Sequence, residues 1–323
     1  MKNVLTRVLG PIVATIMVAM PAQAQDFPTK PVTLIVPYGA GGPTDIAARL
    51  LADGLGEALG QSVIVENKAG GSTVIGADYV AKSKPDGYTI LMSAATTFIA
   101  NPHLNKNLSY QVDDFEPVAM VSKVPLVLVA SNKVPATTVG DFIEWAKENE
   151  GSANYGTSGA GSSAHLMMAM FLQQVDTKMT HIPYQGSAAA SVDLIAGNID
   201  TMIDGIASAH TMTKAGTAHA LGLFSNERWS EMPELKTFEE QGFPEATAYS
   251  WFAIVAPEGT PADVLDKLHA GVNAALEKAE MQKKFIEGGQ TVFITSRDEA
   301  QTFIDEEYKR WGDVISTSNI TLE

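Results

Sequence analysis

Val32-Thr33-Leu34-Ile35-Val36-Pro37-Tyr38-Gly39-Ala40-Gly41-Gly42-Pro43-Thr44-Asp45 reads as a strand, a glycine-rich turn and the start of a helix. The first five residues form an unbroken β-branched and apolar run, the mark of a strand covered on both faces. Pro37 ends that run. Over residues 44–59, Ile46, Ala47, Leu50, Leu51, Leu55 and Leu59 recur near helical spacing. The glycines between the two elements permit positive φ and let a ligand approach backbone N–H groups closely. A helix start adds unpaired donors and about half a positive charge. Together these features make an anion site that requires no basic side chain.

The same alternation extends in both directions along the chain. Residues 62–66 and 88–93 read as strands around a helix at 73–83, which predicts a parallel sheet with helices on both faces. The pattern restarts with strands at 126–130, 153–155, 181–184, 199–203 and 218–224, and helices at 139–148 and 165–175. A strand at 251–256 and helices at 261–278 and 296–316 complete it. Residues 118–130 and 249–256 are long extended stretches suited to carrying the chain between two lobes. The expected organisation is a discontinuous first lobe, 25–124 plus 250–323, and an inserted second lobe, 125–249, with two crossings acting as a hinge around a cleft.

A second glycine-rich turn, Gly156-Thr157-Ser158-Gly159-Ala160-Gly161-Ser162-Ser163, again follows a strand and precedes a helix. Neither turn region, 37–46 or 154–166, contains Lys or Arg. Phosphate sites usually recruit a cation, so a carboxylate held by neutral donors fits better. Taken alone, each turn is equally readable as a tight βα connection. It is the pair, in opposite lobes, that points to binding.

Composition narrows the alternatives. The 323 residues are 45% hydrophobic and 18% charged, with a net charge of -15. That is ordinary globular composition, and its acidity argues against nucleic-acid binding, which depends on Lys and Arg. The absence of cysteine excludes disulfides, thiolate metal sites and a cysteine nucleophile. Lys2 and Arg7, a short apolar run at 8–20 and Ala22-Gln23-Ala24 read as a secretory signal peptide over residues 1–24, cut after Ala24. The apolar run is shorter than the roughly 20 residues that span a bilayer.

Enzyme signatures are weak. No GK[ST] follows either glycine turn, and Ala160 stands where a nucleophile elbow around Ser158 would need its last glycine. Gly159-Ala160-Gly161-Ser162-Ser163-Ala164 fits the relaxed dinucleotide pattern, but a lone match of that kind carries little weight. The six histidines, at 103, 165, 181, 210, 219 and 269, are scattered and form no HExxH. His165, beside the second turn, is the one to watch. No cofactor, catalytic residue or metal ligand is expected.

The ordered set of motifs closely resembles the Bug/TctC family of extracytoplasmic solute receptors over essentially all of the mature chain. The residues that carry the resemblance are Tyr38 to Asp45 with Arg49, Val65-Glu66-Asn67-Lys68-Ala69-Gly70-Gly71 and Lys84-Pro85-Asp86-Gly87-Tyr88-Thr89. Tyr155 to Ser162, Ile182-Pro183-Tyr184-Gln185-Gly186 and Ala256-Pro257-Glu258-Gly259-Thr260-Pro261 continue it. The resemblance implies a two-lobed α/β periplasmic binding protein fold of Venus-flytrap type, with a ligand carboxylate gripped in the cleft. It implies first-lobe contacts from Tyr38, Gly39, Ala40, Gly41, Gly42, Thr44 and Asp45, with Thr96 and Thr97 in the loop after the third strand. Ser158, Gly161, Ser162, Ser163, Tyr184 and Asp204 would serve the second lobe. Thr96, Thr97 and Asp204 rest on position within the family pattern, with helix capping and a strand-end turn as their other readings. Asp45 could instead accept N–H bonds from its own turn, since a bare carboxylate ligand would be repelled by it. Gln185 stands where this family commonly has Lys. The implied partners are a small carboxylate and membrane transporter subunits, with the receptor itself a monomer. A secreted hydrolase using Ser158 or Ser162, and a sensor docking on a signalling protein, are the competing readings. Which carboxylate is bound does not follow from the sequence.

Overall fold

The computed structural model describes residues 27–184 and 186–317, so the signal peptide, its cleavage point and Gln185 lie outside the described residues. The strands are β1 Val32–Val36, β2 Val63–Asn67, β3 Thr89–Ser93, β4 Phe115–Ser131, β5 Asn154–Thr157, β6 Thr180–Pro183, β7 Thr201–Gly205, β8 Ala218–Leu223, β9 Tyr249–Pro257 and β10 Thr291–Val292. The helices are α1 Pro43–Leu59, α2 Val74–Ala81, α3 Asn101–Leu104, α4 Val139–Glu148, α5 Ser163–Gln174, α6 Ser187–Ala196, α7 Ile206–Lys214, α8 Ala262–Leu276, α9 Ala279–Glu287 and α10 Arg297–Thr317.

β4 organises the molecule. Seventeen residues is long for a strand, and its two halves serve different sheets. The first half pairs antiparallel with β9, as far as Pro125 opposite Tyr249, and with β10 at Ser122 and Lys123. The second half pairs from Leu126 onward with β7 on one side and, from Val127, with β8 on the other. Pro125 lacks an N–H, so the partner change falls where one ladder donor is missing anyway. The parallel trio β2-β1-β3 extends the first sheet beyond β9, and the parallel trio β7-β5-β6 extends the second. Two mostly parallel sheets with helices on their faces, joined by β4 and β9, form the two-lobed periplasmic binding protein fold.

Burial follows the sequence pattern. Val32, Leu34, Ile35 and Val36 of β1 are fully buried, as are Ala47, Leu51 and Leu55 of α1. The boundaries expected for β1 and for the helix at 139–148 coincide with those observed. The helices α6, α7 and α9 are additions to the elements that the sequence pattern predicts. Ser187-Ala188-Ala189-Ala190-Ser191-Val192 and Ile206-Ala207-Ser208-Ala209 are small and weakly patterned, so their helical period is hard to see.

A third connection reinforces the two crossings. Near its start, α10 places Arg297 Nε on the Pro117 carbonyl of β4 (3.2 Å). Near its end, Arg310 donates to the Thr247 carbonyl (2.7 Å) and Thr317 to Gln173 of α5 (3.4 Å). Midway, buried Glu307 accepts from two indoles through one oxygen, Trp251 of β9 at 3.2 Å and Trp311 at 2.9 Å. Trp251 is fully buried and stacks on Phe98, with centroids 5.9 Å apart. Glu307→Leu strands both indole donors, each at a cost of about 1–3 kcal/mol. Glu307→Gln keeps an acceptor and should lose clearly less. Urea unfolding followed by tryptophan fluorescence checks this ranking, and equal losses in the two variants would contradict it.

Candidate functional site

The candidate residues lie at the C-terminal ends of strands, where open α/β sheets bind ligands. β1 leads into the first glycine turn, β3 into Thr96 and Thr97, β5 into the second glycine turn, and β7 into Asp204 and α7. Ser163, in the first turn of α5, meets Ser250 of β9 at 3.0 Å between hydroxyls. β9 runs antiparallel to β3 with Ala253 opposite Ser93, so Ser250 lies beyond the end of β3, on the side where residues 96 and 97 follow. The second turn and the loop after β3 therefore approach the same stretch of crossing strand.

The two turns share one construction. Gly41 has φ +82 and donates its N–H to Asp45 Oδ2 at 2.8 Å. Gly161 has φ +72 and donates its N–H to His165 Nδ1 at 3.1 Å. In each case a glycine in the left-handed region bonds to the third residue of the helix it opens, four positions on. The backbone conformation requires glycine, and the side chain fixes the loop against its helix. At the N-cap, Gly42 has no side chain to offer, whereas Ser162 accepts from His165 N at 3.3 Å. Pro43 at N1 has no N–H of its own, and Thr44 and Asp45, as the next residues of the first turn, have N–H groups with no intrahelical partner.

Asp45 is buried and well supplied with donors. Arg49 reaches both of its oxygens (2.9 and 3.1 Å), and Asn67 Nδ2 donates to Oδ1 at 2.9 Å and to the Tyr38 carbonyl at 3.1 Å. Burial works against the charge, but Arg49, the Gly41 N–H and Asn67 outweigh it and hold the carboxyl below its usual range. Of the two readings of Asp45, the structure favours the turn anchor. Arg49 and Asn67, noted in the sequence only as part of motifs, are the residues that make this possible.

In the second lobe the corresponding anchor is uncharged. The His165 and His181 rings stack with centroids 3.7 Å apart, and His181 Nε2 lies 2.7 Å from Thr157 Oγ1. Burial, with the neighbouring His181, pushes His165 down to about 3. Burial likewise pushes His181 down to about 4. Both imidazoles are therefore neutral at ordinary pH, as an Nδ1 that accepts from Gly161 requires. His181 was not singled out in the sequence. Only its placement on β6, beside β5, brings it under the turn.

The remaining candidates divide by environment. Gly39, Ala40, Gly41 and Ser158 are exposed, while Gly42, Ser162 and Ser163 are half-buried. Thr44 and Gly161 are buried. Thr97 is fully buried, its hydroxyl spent on Ser93 and Thr73 (2.5 and 2.8 Å). Thr96 lies beside the phenol of Tyr38, whose pKa burial raises. Tyr184 donates its hydroxyl to Asp193 at 2.7 Å, and burial together with that carboxylate pushes it up to about 12. Asp204 is buried among Ser187, Ser191, Ser208 and the Gly205 N–H, and burial raises its pKa. A cavity of about 470 Å³ between α4, β8 and residues 232–241 involves none of these residues.

This architecture, with helix-opening glycine turns at the strand ends of both lobes, defines a solute-binding protein of the periplasmic type. The family model described as "Tripartite tricarboxylate transporter family receptor" matches residues 47–320. BugT of Bordetella pertussis is 36% identical over 99% of this chain and 98% of its own length. Among solved structures, Rpa4515 of R. palustris with adipate is 34% identical with a TM-score of 0.85, covering 92% of this chain and 99% of that one. MatC from Rhodopseudomonas palustris with bound malate is 29% identical with a TM-score of 0.82, covering 90% and 100%. The chain belongs to the TctC family of tripartite tricarboxylate transporter receptors.

Two titration predictions follow from the anchors. The histidines stay neutral in the fold but take protons near 6.5 once unfolded. The unfolded chain then binds more protons as pH falls from about 6.5 towards 4, and stability drops through that window. His181→Gln should flatten the thermal midpoint profile there, and a profile parallel to wild type would contradict neutral imidazoles. Asp45 acts at lower pH. Its contribution is present above the ordinary carboxyl value of 3.8 and is lost as pH falls through its lower folded value. Asp45→Asn should remove that acid-side loss along with the Arg49 pairing, as read by the same melts.

Proposed function

We propose that this chain is a periplasmic receptor that captures a small carboxylate between its lobes and delivers it to a tripartite tricarboxylate-type membrane transporter. The observation that carries this reading is the pair of glycine turns, each opening a helix and each pinned by its own N3 side chain. The exposed residues of these turns, Gly39, Ala40, Gly41 and Ser158, with a helix start behind each turn, suit an anion small enough to be met from both lobes. The adipate and malate bound by the neighbouring structures point to the same ligand class.

On this reading residues 25–124 with 250–323 form one lobe and 125–249 the other, a division supported by the partner change in β4 after Pro125 and by β9 starting at Tyr249. Ligand carboxylate meets one turn first, and closure about β4 and β9 brings the other turn onto it. Burying that charge is costly unless each oxygen finds a donor, so ligands of the wrong length leave groups unpaired and bind weakly. The ligand contacts proposed are Tyr38 to Gly42, Thr44, Thr96, Ser158, Gly161, Ser162 and Ser163, with Asp204 and Tyr184 shaping the second-lobe wall. Asp45 and Thr97 support the site from behind it. The receptor works as a monomer, exported by residues 1–24 and cut after Ala24. No helix among the described residues is long and apolar enough to cross a membrane.

A serine hydrolase with Ser162 as nucleophile is disfavoured by the geometry. A nucleophile needs a base within hydrogen-bond reach. Ser162 Oγ instead accepts from the His165 backbone, and His165 Nδ1 is occupied by Gly161.

The decisive experiment is a melting screen of ligand-free protein against adipate, malate, citrate, aromatic acids and acidic amino acids. A carboxylate present at a hundredfold excess over its Kd should add about 2.7 kcal/mol, or roughly 4 °C for a chain of this size. Ser158→Ala with Ser162→Ala should reduce that shift. A flat response to the whole panel removes the carboxylate assignment.

A further inference from the structure

We infer that Gly289 is the stop against which the lobes close, a positioning residue that sets how near the two glycine turns come. It belongs to the first lobe, between α9, which packs on α1 and α8, and β10, which pairs with the first half of β4. Its neighbours across the gap belong to the second lobe. A Cβ placed on Gly289 would lie 2.8 Å from Ala207 Cβ, 2.9 Å from Ala207 N and 3.0 Å from Ile206 Cγ2, all in the first turn of α7. One of those atoms is backbone, so no side-chain rotation relieves the contact.

The contact lies on the cleft side of the hinge. α7 leaves the C-terminal end of β7, and β7 runs parallel to β5, whose C-terminal end supplies the second glycine turn. The next residue, Gln290, is buried and faces the first turn. Its Nε2 donates to the Pro43 carbonyl at N1 of α1 (3.4 Å), and its Oε1 accepts from Ser122 of β4 (2.7 Å). The dipeptide thus touches the helix of one anion turn, the crossing strand and the opposite lobe. Gly289 has φ +72, so both its conformation and its close approach call for glycine.

A methyl group at this point works as a wedge. Restoring ordinary separations of about 3.5–4.0 Å forces the lobes apart by roughly 1 Å at the contact, and by more at the cleft mouth. The inference deepens the receptor reading, since a stop matters only if closure does.

Because the chain has no cysteine, spin labels on Asp53→Cys in α1 and Ser152→Cys in the second lobe, both exposed positions, report the distance between lobes cleanly. Gly289→Ala should remove the shortest inter-lobe distance that the parent protein populates, with and without adipate. Ala207→Val crowds the same contact from α7 at ordinary helical φ and should do likewise, which keeps the test open if Gly289→Ala fails to fold. Gly216→Ala is the control for backbone strain, with φ +67 and nothing within 4 Å of its Cβ. It should destabilise the chain without moving the labels. If closure falls to a tenth of its population, the apparent Kd for any carboxylate that binds rises about tenfold. An unchanged shortest distance in both wedge variants, or the same shift in Gly216→Ala, overturns the stop. Failure of every carboxylate to bind would defeat the receptor reading while leaving the distance result to stand by itself.

Discussion

One interaction recurs in both lobes, a left-handed glycine donating its N–H to the side chain at N3 of the following helix. Gly41 with Asp45 and Gly161 with His165 are the two instances. A glycine-rich loop is the most mobile kind of backbone and loses the most entropy on ordering. An anion site built from N–H groups gains from those donors only if they already point the right way. The bond to N3 fixes each turn locally, within five residues, so each turn is held by its own helix independently of the other lobe.

The two anchors differ in charge, and the difference is compensated. A carboxylate behind an anion site would oppose the ligand. At Asp45 the opposition is offset by Arg49 and Asn67, both within hydrogen-bond distance, so the charge is shared before it reaches the turn. At His165 the same acceptor role is filled by a neutral imidazole, kept neutral by burial and by the stacked His181. Neither anchor presents an unpaired charge to the cleft. Residues 37–46 and 154–166 contain no Lys or Arg, so an anion met by these turns would be met by backbone and hydroxyl donors.

The sequence reveals this fold where burial is two-sided and hides it where small residues dominate. Val32 to Val36 has one reading as an apolar run, and the strand is found where the run lies. The extended stretch around Val118 marks a crossing because no ordinary strand needs its seventeen residues, whereas β9 has an ordinary length and takes its place from its pairing with the first half of β4. Ser187–Ala196 is a helix whose exposed side carries Ala188, Ala189, Val192 and Ile195, so the polar stripe that announces an amphipathic helix is missing. The glycine turns are equally legible, since strand, glycines and helix start are contiguous. What surrounds them is not. His181 reaches the second turn through strand pairing, Asn67 reaches the first from β2, and Gly289 meets Ala207 from 82 positions away in the chain. Local pattern carries no information about such encounters.

Hinge and site are also linked by packing. Thr96 opens a π-helical turn, Thr96–Ala100, of the kind often found at functional positions. Phe98 of that turn stacks on Trp251 of β9, and Trp251 donates to Glu307 of α10. The segment beside the proposed ligand is therefore in contact with a crossing strand and with the helix that reaches both lobes. A rotation between the lobes cannot leave this stack unstrained unless Phe98, Trp251 and Glu307 move together with the first lobe. The first-lobe contacts of Glu307's helix at Pro117 are made from its start, and the second-lobe contacts at Thr247 and Gln173 from its last two turns. On the proposed receptor reading, a movement of the second lobe would be felt in α10 only beyond Glu307, where its second-lobe contacts lie, and in β4 at Pro125, which offers no ladder N–H.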